Sequence, residues 1–110
     1  MNDASFQLKG SAVSVIVLEL YHYTAASFAD QLGEKVRQAP QFFQKSPVVI
    51  SLEKLEEEQS PHFSQMLDIC REFHLQPMAW RGVPEHLEAD ARKTGLALIP
   101  VNQRGDTTLE

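Results

Sequence analysis

Cysteine is nearly absent from this chain of 110 residues: only Cys70 is present, so no internal disulfide can form, and a reducing compartment is expected. Glycine is sparse too, and its five residues are scattered, leaving no glycine-rich loop whose amides could close on a phosphate, which excludes a nucleotide-phosphate site of that kind. No apolar run exceeds four residues, as at Val15–Leu18, far short of the roughly 18 needed to span a bilayer. Asp3 stands where a signal peptide would be basic, so a cytoplasmic protein without direct membrane insertion is expected. Basic residues are also in deficit, ten Lys and Arg against fifteen Asp and Glu, for a formal charge of −5. A chain so charged is a poor non-specific nucleic-acid binder, because that affinity comes from cations neutralising phosphates. The four histidines, His22, His62, His74 and His86, are widely separated and share no metal-ligand spacing, which points to surface or helix-end positions and to no metal or cofactor.

What is present is an ordinary soluble composition, 43% hydrophobic and 23% charged, in a length that suits one domain with a single core. Residues 1–100 form the expected domain and 101–110 a polar linker or tail, with Leu109-Glu110 read as a cloning remnant. Ser5–Lys9 alternates, with Phe6 and Leu8 on one face, as a half-buried strand would. Ala12–Leu20 reads as a longer strand covered on both faces, joined to the first as a hairpin in which Gly10 supplies a backbone geometry closed to residues with a Cβ. Thr24–Ala39 has helical spacing of Ala25, Phe28, Ala29, Leu32 and Val36, with Thr24 as N-cap. Pro47–Leu52 is a second buried strand, and Glu53–Gln59 an acidic connection. Ser60-Pro61 predicts the next helix start, with Phe63, Met66, Leu67, Cys70 and Phe73 as its apolar stripe. Gln76–Trp80 follows as a strand, Pro84–Thr94 as a short helix closed by Gly95, and Leu96–Ile99 as the last strand. The fold class is therefore α/β, a β-hairpin followed by βαβ crossovers (ββαβαβαβ), with a mixed, mostly parallel sheet packed against helices.

No reaction centre stands out. Cys70 lies on an apolar stripe and reads as a small core residue, and Trp80 as core or core edge. Glu56, Glu57 and Glu58 lack the alternating ligands and central glycine of a calcium loop. A carboxylate and histidine pair, Glu58 with His62, would share a helix face only if the helix began before Pro61. The most informative stretch is Gln38–Leu52, QAPQFFQKSPVVISL. Ala39-Pro40 must end a helix, because proline disfavours helical geometry at the residue before it. Phe42 and Phe43 then fall in a short connection, where two neighbouring rings cannot easily both turn inward. One of them is a candidate contact surface.

The segments LKGSAVSVIVLEL, LGEKVRQAPQFFQKSPVVISL and RKTGLALIP, in that order, resemble the amino-terminal domain of the MinC family of bacterial cell-division inhibitors, over about Phe6 to Pro100. The layout read above is STAS-like, and the resemblance implies a non-enzymatic protein that binds the tubulin-like GTPase FtsZ and shortens or weakens its filaments. It implies, through a separate carboxy-terminal domain not in this chain, a second partner, the membrane-associated ATPase MinD, and recruitment to the inner membrane surface. It leaves a homodimer open. Lys9 and Gly10 match the family's inhibitory hairpin segment, and Lys35 and Phe42 match positions near the first helix and its exit. Lys45 is left as an ordinary charge. The competing layout is a phosphorylation-switched STAS module, from whose Asp-Ser-Ser-Gly-like turn the segment EEEQSPHF departs, with Ser60 as its candidate phosphosite.

Overall fold

The computed structural model describes residues 4–44, 46–56 and 59–101. Lys45, Glu57, Glu58 and the tail from 102, with Leu109-Glu110, lie outside the described residues. The elements run β1 (Ile16–Glu19), α1 (Ala25–Gln38), α2 (Pro40–Phe43), β2 (Pro47–Ser51), α3 (Phe63–Glu72), β3 (Gln76–Arg81), a 3-10 turn (Glu85–Leu87), α4 (Glu88–Arg92) and β4 (Ala97–Ile99). Strand order in space is β1-β2-β3-β4, and all three pairings are parallel. Each strand thus returns beside its predecessor in the same sense. Right-handed crossovers stepping one way put every helix on one face of the sheet. Leu32 of α1, Met66 and Cys70 of α3 and Ala91 of α4 indeed join one core cluster with Val48, Ile50 and Trp80.

The local reasons for these elements are legible. Thr24 has extended backbone and its Oγ1 accepts the Ser27 amide at 3.3 Å, so α1 starts where the sequence predicts. The stripe of α3 is buried as expected at Phe63, Met66, Leu67 and Cys70, with Ile69 added. In β2, Val48 and Ile50 alternate onto the helix face while Val49 and Ser51 take the other. Trp80 is fully buried, edge-on to Phe63 with ring centroids 4.9 Å apart. Its Nε1 donates to Thr94 Oγ1 at 2.9 Å, and that hydroxyl donates to the Ala91 carbonyl at 2.6 Å. The one polar group of the largest core side chain is thereby satisfied by the end of α4.

Three expectations change. The opening hairpin is not formed: residues 4–15 carry no strand, and Phe6 and Leu8 are 72% and 90% exposed. Two apolar side chains offer little burial against a backbone ordering cost of about 1–2 kcal/mol per residue. With no hairpin strand, the described sheet is wholly parallel, and β1 is a four-residue, half-buried edge strand, where a longer strand covered on both faces was expected. Gly10 has no left-handed φ, and a Cβ there would meet nothing within 4 Å, so the turn geometry assigned to it is not needed here. Finally, α3 begins at Phe63 and not at Pro61. His62 has extended backbone, and its Nδ1 accepts the Gln65 amide at 3.3 Å, so the imidazole does the capping that Ser60 was expected to do.

Two further ties were invisible in the pattern. Tyr23 links the starts of α1 and α3: its amide donates to Gln59 Oε1 at 2.9 Å and its hydroxyl to Gln65 Oε1 at 3.0 Å. On the sheet face away from the helix layer, Arg81 is 5% exposed and its Nε donates to Glu53 Oε2 at 2.7 Å, which also accepts from Ser51 Oγ at 2.9 Å. Gly82, at φ +66°, follows, and a Cβ there would run into the Glu53 side chain. Replacing Thr94 with Val should leave the Trp80 indole N–H buried without an acceptor. A loss of about 1–3 kcal/mol of unfolding free energy is expected, read as a lower urea midpoint at an unchanged m-value.

Candidate partner-binding surface

The surface begins at the end of α1. Ala39 leaves the helix with φ −146° and ψ 64°, as the following proline requires, and Pro40 restarts a single turn, α2, closed by the Gln44 amide on the Pro40 carbonyl at 3.0 Å. That turn separates the two phenylalanines. Phe43 packs on the core, while Phe42 remains 49% exposed. Their rings meet edge to face, centroids 5.0 Å apart and planes at 87°, so the inner ring supports the outer one. Ser46 Oγ donates to the Phe42 carbonyl at 2.6 Å and fixes the exit.

Between this turn and β1 runs an apolar groove of about 750 Å³, lined among others by Val15, Val17, Tyr21, Lys35, Phe42 and Phe43. A smaller hollow of about 280 Å³ continues from it past Tyr21, His22, Gln31 and Lys35. Lys35 borders both. Its neighbour Glu34 is occupied by Arg37 at 2.6 Å, and this contact, then the nearby guanidinium charge, holds the Glu34 carboxyl below its ordinary range. Glu19, across the groove, accepts from the Tyr21 hydroxyl at 2.8 Å and lies 3.6 Å from Lys54 Nζ. Among the described residues no carboxylate pairs with Lys35, which lies exposed along the groove that Phe42 also lines.

The structure therefore brings Lys35 and Phe42 together along one groove. It does not bring Lys9 and Gly10 there, since both lie exposed on the unpaired opening segment. Sequence reasoning missed Tyr21, an aromatic that is 56% exposed at the same groove. The signal was available only as an aromatic one residue beyond the end of an apolar strand. Elsewhere the candidate residues have plain roles. His22 and His86 are exposed, His62 caps α3, and His74 sits past its end at φ 67°. Ser60 is exposed and three residues before the start of α3. Among the described residues no three His, Cys, Asp or Glu side chains gather as a metal site, and no described helix is long and apolar enough to cross a membrane. Burial pushes the Cys70 thiol up to about 12. Iodoacetamide at pH 8 should accordingly leave Cys70 unmodified in the folded domain and label it fully after unfolding in urea, as mass spectrometry would read; rapid labelling of the native protein would contradict the buried thiol.

Comparison with known proteins agrees with this picture in extent. Residues 6–77 match the family described as septum formation inhibitor MinC, N-terminal domain. A probable septum site-determining protein MinC of Pseudomonas aeruginosa (strain LESB58) is 40% identical over 99 residues, covering 89% of this chain and 38% of the relative. Proteins of the same name from Marinobacter nauticus and Stutzerimonas stutzeri are 39% and 42% identical over 97 and 94 residues, covering 87% and 79% of this chain and 39% and 37% of theirs. The chain thus spans about two fifths of the length of the curated relatives it matches.

Proposed function

This chain belongs to the family of MinC amino-terminal domains, and on that premise we propose that it inhibits formation of the division septum by docking on FtsZ and weakening its filaments, contributing to placement of the division site. It acts by binding and not by chemistry of its own side chains. The observation that carries this reading is the single groove lined both by Lys35, which has no carboxylate partner among the described residues, and by the half-exposed Phe42. A cation and an apolar anchor along one groove suit an acidic partner surface, the cation steering the encounter and the ring supplying burial. Pairing of Ser5–Lys9 with the outer edge of β1, for which Phe6 and Leu8 have the right alternation, would carry Lys9 towards the same groove. MinD binding, and with it recruitment to the inner membrane surface, belongs in this reading to a carboxy-terminal domain outside this chain.

Sedimentation of GTP-assembled FtsZ, with GTP hydrolysis followed in parallel, tests the reading. The domain should reduce pelletable polymer while hydrolysis stays unchanged, which separates filament breakage from blockade of the GTPase site. Lys9→Glu, Lys35→Glu and Phe42→Ala should each raise the concentration needed by about ten-fold, with thermal unfolding shifted by no more than about 0.5 kcal/mol equivalent. Parental inhibition by all three variants would refute the surface. Gly10→Asp is a less clean companion: a side chain there meets open space in the unpaired segment, so circular dichroism beside the inhibition assay is needed to separate a bent turn from added repulsive charge. Its effect should appear in inhibition and not in the circular dichroism spectrum.

A further inference from the structure

We propose that Tyr21 is a third contact residue of this surface, held in place by Glu19, and that the groove between Tyr21 and Phe42 receives a carboxylate-bearing segment of the filament subunit with an apolar side chain beside its acid. The inference rests on the FtsZ reading above and adds to it a residue and a partner chemistry. Tyr21 is more than half exposed, yet it is not loose. Its hydroxyl donates to Glu19 Oε1 at 2.8 Å, and Lys54 Nζ stands 3.6 Å from that same carboxylate oxygen. The hydrogen bond to Glu19, then the Glu19 charge, keeps the phenol proton on, so the ring is an oriented, neutral contact. An aromatic fixed before binding loses little rotamer freedom on association, which is how exposed tyrosines become strong contacts.

The charges choose the occupant. Tyr21 and Lys35 line both the large groove and the hollow that extends it, and Phe42 lines the large groove. Glu19 also borders the groove, but its carboxylate is already engaged by the Tyr21 hydroxyl and by Lys54. Lys35 is the cation of this groove with no carboxylate partner among the described residues. An incoming acid would therefore meet Lys35, with apolar surface on either side from Tyr21 and Phe42. Glu19 is a positioning residue here, acting through the tyrosine.

Affinity of purified domain for GDP-bound, unassembled FtsZ, measured by biolayer interferometry across a salt series with unfolding midpoints in parallel, decides the matter. Tyr21→Ala should weaken binding about ten-fold with an unchanged midpoint and an unchanged salt slope. Tyr21→Phe and Glu19→Ala should each cost about two- to three-fold, and Glu19→Gln, which keeps the hydrogen-bond acceptor, should restore most of that. Lys35→Glu should flatten the salt slope. If Tyr21→Ala binds like the parent while Lys35→Glu and Phe42→Ala are impaired, this inference fails and the surface stands. If none of the three is impaired, the FtsZ reading of the surface fails first. Should Tyr21→Ala lower the unfolding midpoint, the Glu19→Ala and Glu19→Gln pair decides: equal affinity of the two overturns the positioning role. Dissociation of a dimer by Tyr21→Ala in sedimentation equilibrium, with FtsZ binding spared, would make the groove an interface between copies and overturn the proposal.

Discussion

The constraint on which this molecule depends is the order of its four parallel strands. Because β1, β2, β3 and β4 lie side by side in chain order, each crossover steps the same way, and handedness places the helices together on one face. The two inner strands then carry fully buried residues: Val48 and Ile50 in β2 and Trp80 in β3 are 0% exposed. The first strand can only be an edge. Its four residues are all half-buried, and its flank is left for whatever the chain or a partner brings to it.

That edge explains where the candidate surface lies. The helix that follows β1 returns along it, so the end of α1 and the α2 turn come to rest beside the same strand, and a groove opens between them. The proline at position 40 then settles which aromatic faces out. By ending α1 and restarting one turn, it sends Phe43 into the core and leaves Phe42 outside, stacked edge-on against its neighbour. A local backbone rule thus decides which ring is exposed, because Phe42 and Phe43 are held on one hydrogen-bonded turn.

Polar anchoring is distributed to match. Trp80 is tied to Thr94, Tyr23 to Gln59 and Gln65, and Arg81 to Glu53, each joining elements distant in sequence. The contacts around the groove are of another kind. Tyr21 with Glu19 and Phe42 with Ser46 are near neighbours in the chain, so they orient surface groups without bearing on the core. Substitutions at the candidate surface therefore leave the ties of the core in place.

Much was determined by the sequence alone. The Thr24 cap, the Ala39-Pro40 stop, the Phe63–Cys70 stripe and the Pro47 strand each follow from short-range backbone and periodicity rules, and the motifs in their order carried the family resemblance. The pairing of Lys35 with an exposed aromatic was legible as a pair of candidates, one of Phe42 and Phe43 being expected outside. Only the tertiary structure decided which ring it was, that Tyr21 joins them, that β1 is an edge, that Ser5–Lys9 stands unpaired, that His62 caps in place of Ser60, and that Arg81 is buried against Glu53. The reason is physical: caps and stops act over three or four residues, whereas exposure, edge position and buried pairing are set by which distant segments arrive alongside.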